Sequence, residues 1–367
     1  MKKFILLLVT LSVTLLPAAA DYQVMVLGDI HFDAKKYHTS PDGKIVTRYS
    51  EPYVEMWKGK AQNMLRNSAE KMDKNFPFVI QLGDFIQGYT ATNEGLAQML
   101  TESFYEVKKF FPNHKLLVVK GNHDVRRQTS VKFVNGKMIQ TASWEHQIYE
   151  QTFLPLMARE LGRASVKSNY TVVYNNDLYI FYDDFAEPQP QTSINFLKDT
   201  LDAHPDVRNI FFITHIPLLP SGVYKTGWLL PSYPEVVKIL ARRRNVIILA
   251  GNSHQPSFLQ LKVGNNTLTQ LVVSSIAYSW GSSKNAEIIA DSKEQFYAIL
   301  NKDGKMSNPS TSKAMKFLEP LKVEKLIIYR RETMRGFAVL KIRDNGSVDA
   351  EIYNSPSPRP AAVIKLR

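Results

Sequence analysis

The 367-residue chain contains no cysteine. That absence excludes disulfides, thiolate metal ligands, thiol catalysis and lipid attachment through an N-terminal cysteine. Acidic residues are also scarce: 34 Asp and Glu stand against 46 Lys and Arg, a formal net charge of +12. A balance of this sign favours anionic partners such as phosphoesters, nucleic acid or lipid headgroups. No basic run with interleaved aromatics marks a nucleic-acid groove, however, so nucleic acid ranks behind a small phosphoester as the expected partner. Long apolar runs are missing beyond the N-terminus. The one that exists, Phe4–Leu16, follows Lys2 and Lys3 and precedes Ala18-Ala19-Ala20. Positive n-region, apolar h-region and small-residue cleavage site together read as a secretory signal peptide over residues 1–20, with Asp21 the first mature residue. The run is short for a membrane span. The expectation is a periplasmic or secreted protein without a stable membrane span in its mature chain.

What the chain does have is a recurrence. Hydrophobic residues make up 44% of it, enough for a sizeable core. Five short apolar runs each lead into a residue that can hold a metal. Tyr22–Leu27 runs into Gly28-Asp29-Ile30-His31, and Phe78–Leu82 into Gly83-Asp84. Lys115–Val119 leads through Lys120 to Gly121-Asn122-His123-Asp124. Ile210–Thr214 ends at His215, and Val246–Ala250 at Gly251-Asn252-Ser253-His254. Runs of this length rich in Val, Ile, Leu and Phe read as buried strands. Side chains just past the carboxyl ends of neighbouring strands converge on one rim, where α/β proteins place ligands. Asp, Asn and His gathered there make an oxygen and nitrogen set suited to divalent metals. Each motif alone is weak, since Asp-x-His and Gly-Asp occur in ordinary turns. Their order, each on its own strand end, carries the inference.

Helices are expected over Pro52–Asn75, where Trp57, Ala61, Met64, Leu65 and Met72 recur at helical spacing, and over Gly95–Phe110. Strand and helix alternation gives the α/β class. Hairpins are expected at Asn169–Tyr174 with Leu178–Tyr182, and at Gly336–Ile342 with Ser347–Tyr353 around Asp344-Asn345-Gly346. They make the sheets mixed. The ligand-bearing strands extend from Asp29 to His254, so one catalytic domain over residues 21–367 is expected. The Ser/Pro/Lys-rich stretch around 282–332 reads as a surface insertion within it.

The ordered set Asp29-x-His31, Gly83-Asp84, Gly121-Asn122-His123-Asp124, His215 and Gly251-x-x-His254 resembles the calcineurin-like metallophosphoesterase superfamily. The resemblance implies a four-layer αββα sandwich with two mixed sheets and a dinuclear metal site at the strand ends. It places Asp29, His31 and His254 on one metal, Asp84 between the two, and Asn122 and His215 on the other, with His123 near the leaving group. It also implies an exported phosphoester hydrolase, acting on monoesters or diesters through a bridging hydroxide. His123 would serve as general acid, with Asp124 either orienting its imidazole or closing the turn. Two divalent ions are expected; oxygen and imidazole donors suit Mn, Fe, Zn, Co or Ni without choosing among them.

Two positions depart from the family pattern. Asn252 stands where the family has the first histidine of Gly-His-x-His, and it would ligate more weakly than imidazole. Gln87 stands where many members have Asp and the purple acid phosphatase branch has an iron-binding Tyr, which argues against that branch. Asn252 also motivates an alternative: a metal-binding scaffold that recognises phosphorylated ligands with little or no turnover. Arg126, Tyr224 and Trp228 are candidate substrate contacts, because each follows a ligand motif or lies in the loop after one. A single sequence does not reveal oligomeric state.

Overall fold

The computed structural model describes residues 20–39, 51–134, 137–185, 190–219, 233–277, 286–290, 292, 294–295, 322–330, 335–354 and 357–367. Most of the expected signal peptide, Tyr224, Trp228 and much of the 282–332 stretch lie outside them. Among the described residues, no helix is long and apolar enough to cross a membrane.

The first sheet consists of β1 (Tyr22–Leu27), β2 (Phe78–Gln81), β3 (Lys115–Val118), β14 (Phe337–Ile342), β15 (Val348–Tyr353) and β16 (Ala362–Lys365), in the order β16-β15-β14-β1-β2-β3. A two-stranded ribbon, β4 (Arg126–Val134) with β5 (Lys137–Trp144), stands apart. The second sheet consists of β6 (Tyr170–Tyr174), β7 (Asp177–Phe181), β8 (Asn209–Ile213), β9 (Val246–Ala250), β10 (Ser257–Val263), β11 (Asn266–Val272), β12 (Ala286–Ala290) and β13 (Lys322–Arg330). Its order is β12-β13-β10-β11-β9-β8-β7-β6. Both sheets are mixed. β1, β2 and β3 run parallel while β14 pairs with β1 antiparallel, and β7, β8, β9 and β11 run parallel between antiparallel neighbours.

The side-chain period of two assigns the layers. In the second sheet, Tyr179, Phe211, Ile213, Ile247, Leu249 and Leu271 join the core shared with the first sheet. Their alternates Leu178, Ile180, Phe212, Ile248 and Leu268 face a separate core. That second core is closed by Ile194, Leu197 and Leu201 of one helix (Pro190–Ala203) and by Val236, Val237 and Leu240 of another (Tyr233–Leu240). Helices at Asn93–Lys108 and His146–Leu161 belong to the core of the first sheet through Leu96, Met99, Leu100, Phe153 and Met157. The architecture is an α/β sandwich with mixed sheets.

Several expected elements change in extent. The helix expected over Pro52–Asn75 runs from Glu51 to Ala69, with a wider π-type turn at Met56–Ala61. Past Ala69 the backbone tightens into three-residue turns, Lys71 N to Ser68 O (3.1 Å) and Met72 N to Ala69 O (3.0 Å), and the Asp73 side chain then accepts from Asn75 N (2.8 Å). The 282–332 stretch, expected as a surface insertion, contributes β12 and β13 to the second sheet. β13 pairs antiparallel with both β10 and β12, so its position rests on partners distant in sequence.

Candidate metal centre

The two sheets deliver opposite halves of one site. The ends of β1, β2 and β3 bring Asp29, His31, Asp84, Asn122 and His123, while the ends of β8 and β9 bring His215, Asn252 and His254. Seven of these eight are buried; His123 is the exception, at 18% side-chain exposure. The chain turns sharply after β1, β2 and β9. His31, Asp84, Asn252 and His254 all have positive φ, between 50° and 59°. Asp, Asn and His tolerate this left-handed region better than branched residues do, and such conformations cluster at functional sites. Gly121 is required for a different reason: a Cβ there would lie 2.0 Å from Asp84 N and 2.5 Å from Asp84 Oδ1. Removing that methyl lets β3 approach the Asp84 carboxylate.

Cross-sheet hydrogen bonds hold the halves together. His215 Nδ1 donates to the Leu82 carbonyl (2.7 Å), which turns Nε2 toward the site. Asn252 N donates to Asp29 Oδ1 (3.1 Å), and Ser275 Oγ donates to the Asp29 carbonyl (2.7 Å).

The donor atoms fall into two groups on either side of Asp84. Asp29, His31, Asp84 and His254 each offer one ligand atom, all within 4.8 Å of one another. The Nε2 atoms of His31 and His254 approach to 3.2 Å, and Asp84 Oδ2 lies 3.8 Å from His31 Nε2. On the other side, His215 Nε2 lies 3.3 Å from Asn122 Oδ1 and 3.3 Å from Asp84 Oδ1. The two oxygens of one carboxylate thus face two ligand groups. Asp29 Oδ2 is fully buried and has no hydrogen-bond partner, 3.6 Å from His254 Nε2. Such an atom carries a desolvation cost that a cation among these donors would offset. The residue set fits a divalent metal.

Electrostatics point the same way. Burial pushes the Asp29 carboxyl up to about 7, with the Asp84 charge adding to it. Burial, then the charge on His123, depresses His31 to about 3. For His215, burial opposes protonation but is overcome by the Asp84 and Asp29 carboxylates, which raise it to about 10. Asp84 is held well below the usual range by the surrounding imidazoles, despite its burial. Buried carboxylates and imidazoles packed this tightly compete for protons that a cation would displace.

His123 differs from its neighbours. Its Nδ1 lies 2.7 Å from the Gln87 carbonyl, leaving Nε2 toward the site, 4.0 Å from Asp84 Oδ2. The ring meets His31 edge-on (4.8 Å) and Tyr89 edge-on (5.4 Å). The Asp124 carboxylate makes no hydrogen bond to it. The Asp124 carboxylate accepts from the backbone N–H groups of Phe85 (2.7 Å), Ile86 (3.1 Å) and Gly121 (2.7 Å). Of the two roles weighed for Asp124, its contacts are those of a turn brace, and the Gln87 carbonyl is what orients the imidazole. The Asn252 side chain makes no hydrogen bond among the described residues; its backbone N–H does, to Asp29.

Sequence reasoning missed several residues at this rim. Lys120 and Asp183 form a buried ion pair (2.6 Å) joining the end of β3 to the loop after β7. Asp184 accepts from Thr214 Oγ1 (2.5 Å), Ile216 N (2.8 Å) and Tyr233 Oη (2.9 Å), fixing the backbone on both sides of His215. Tyr89 and Trp144 flank Arg126. Only the position of Lys120, directly before the Gly-Asn-His-Asp motif, offered a signal in the sequence.

Among known proteins, the family model for calcineurin-like phosphoesterase matches residues 22–256. No curated protein matches the sequence. Solved structures with a similar fold include PhoD, at 12% identity and TM-score 0.51 over 95% of this chain and 70% of that one. The purple acid phosphatase PPD1 of yellow lupin seeds is 12% identical, with TM-score 0.52 over 94% of this chain. The alignment spans 53% of the lupin enzyme. GAP50, the anchor in the inner membrane complex of Plasmodium, is 13% identical, with TM-score 0.51 over 95% of this chain and 89% of that one. At these identities the likeness is one of fold. The family match spans more than half of the sequence and takes in every ligand-bearing strand end: the chain belongs to the calcineurin-like phosphoesterase family.

Proposed function

We propose that the protein is an exported hydrolase of small phosphoesters that works with two divalent ions. The observation that carries this reading is Asp84, whose two oxygens face two separate groups of nitrogen and oxygen donors. Asp29, His31 and His254 would hold one ion, Asn122 and His215 the other, and Asp84 both; Asn252 would complete the second group weakly. When bound, two such ions supply a nucleophilic water at neutral pH and neutralise phosphoryl charge. The chain's own part is positioning and proton transfer. In the reaction the water oxygen bonds to phosphorus and the phosphorus–oxygen bond to the alcohol breaks. His123 acts in its imidazolium form: Nδ1–H stays on the Gln87 carbonyl while Nε2 gives its proton to the departing alkoxide. Asp124 holds the Gly121 and Phe85 turns so that Asn122, His123 and Asp84 keep their register. A single catalytic domain over residues 21–367, preceded by a cleaved leader, is part of this reading.

The test is hydrolysis of p-nitrophenyl phosphate and bis-p-nitrophenyl phosphate by metal-stripped protein, with Mn, Zn, Fe, Co, Ni or Mg restored. Metal-dependent turnover that vanishes in Asp84→Ala is expected. One observation favours a second reading, a phosphoester-binding scaffold: Asn252 in place of an imidazole. No turnover in the wild type but turnover in Asn252→His would select it.

A further inference from the structure

One guanidinium at this rim is held without a counter-charge. Lys120 pairs with Asp183 (2.6 Å) and Arg127 with Glu145 (3.1 Å), but Arg126 has no carboxylate at ion-pair distance among the described residues. It is fixed by rings instead. Its guanidinium lies 4.8 Å from the centroid of the Trp144 ring and 5.8 Å from that of Tyr89, and its Nη1 donates to Tyr89 Oη (2.8 Å). The pairing of β4 with β5 sets Arg126 directly opposite Trp144.

The same clamp reaches His123. Tyr89 meets the His123 ring edge-on at 5.4 Å. Tyr89 is held there in the left-handed region (φ 57°), a costly conformation for a bulky residue. Its backbone N–H donates to the Arg126 carbonyl (2.7 Å). Trp144 is 45% exposed, so the clamp opens to solvent beside the histidine. A half-buried guanidinium held by two aromatic side chains keeps its remaining N–H donors for an acceptor, and carboxylate or phosphate oxygens fit that fork best.

We propose that Arg126, clamped between Tyr89 and Trp144 beside His123, receives an anionic group on the leaving part of the substrate. The preferred phosphoesters are then those whose leaving alcohol itself carries a carboxylate or a phosphate. This rests on the hydrolase reading for the place of His123 at the leaving group.

The experiment compares phenyl phosphate, 4-carboxyphenyl phosphate and benzene-1,4-diyl bisphosphate as substrates of the metal-loaded wild type, Arg126→Met and Arg126→Lys. Arg126→Met is expected to lower kcat/KM for one or both charged esters by about 10- to 100-fold, mainly through KM. It should leave phenyl phosphate within about threefold, the loss expected of a residue that binds only the second charge. Arg126→Lys should keep part of the preference. The ester with the larger dependence on Arg126 identifies the anion. Equal losses on all three esters, or none, would overturn the proposal. If the wild type hydrolyses nothing, calorimetric binding of 4-carboxyphenylphosphonate against phenylphosphonate decides the matter separately. A preference for the carboxylated ligand that disappears in Arg126→Met keeps the subsite while the hydrolase reading falls; no such preference removes the subsite as well.

Discussion

At the scale of single residues, the turn after β3 is where the site is most sensitive, because two side-chain identities there have no substitute. Asp124 is fully buried and accepts three backbone N–H groups. In Asp124→Asn the amide oxygen can still accept from Phe85 and Ile86, while the amide nitrogen faces the Gly121 N–H, donor against donor. The expected loss is about 1–3 kcal/mol, the cost of one buried unsatisfied group, measured by urea denaturation of the metal-free protein. If stability is unchanged, Asp124 is not the brace its contacts describe. Gly121→Ala acts differently, since its methyl would overlap Asp84. Overpacking costs about 1–3 kcal/mol, and Asp84 must move to relieve it. Metal affinity measured by calorimetry should therefore fall at least tenfold, further than stability alone accounts for. Both residues stood in the sequence as parts of one motif. Their division of labour was illegible there, because it depends on where Asp84 and the Phe85 and Ile86 backbones lie.

At the scale of elements, the parallel strands that carry the site were legible, and for a physical reason. A strand buried on both faces needs a continuous apolar run, so β1, β2, β3, β8 and β9 appear in the sequence within a residue of their observed ends. The β14–β15 hairpin was equally plain from Asp344-Asn345-Gly346, whose Gly346 has φ 81°. The β4–β5 ribbon was missed. Its two strands pair with each other outside both sheets, and it supplies the Arg126 and Trp144 clamp. The Lys120–Asp183 pair was missed because its partners are joined only by the packing of one sheet on the other. Breaking that pair gives a prediction for how the two sheets are coupled. Lys120→Met leaves Asp183 buried without its counter-charge and should cost about 3–5 kcal/mol, whereas Lys120→Met with Asp183→Leu should recover most of it. Urea denaturation of the four variants in a double-mutant cycle checks this. Additive losses would mean that the two side chains do not act as a pair.

At the scale of the whole molecule, the site closes the seam between two sheets, so metal binding and global stability must be linked. Asp29 and Asp84 come from the first sheet, His215 and His254 from the second, and no covalent cross-link joins the two because cysteine is absent. Without a cation the seam holds buried carboxylates and imidazoles whose preferred protonation states conflict: Asp29 is pushed up to about 7 and His215 to about 10, while His31 falls to about 3. A ligand that binds only the folded state adds stability by mass action, about 2.7 kcal/mol when its concentration is 100 times its dissociation constant. Titrating Mn or Zn into stripped protein should therefore raise Tm progressively, and the rise should continue with the logarithm of metal concentration after the site is full. Asp84→Ala removes the carboxylate shared by both donor groups and should abolish most of that rise. Asn252→His should steepen it if a stronger donor at that position completes the second group. A Tm that rises equally in wild type and Asp84→Ala would place the stabilising ion elsewhere on the molecule. A rise lost in Asp84→Ala ties the donor atoms of the seam to the stability of the sandwich they join, by a measurement that requires no substrate.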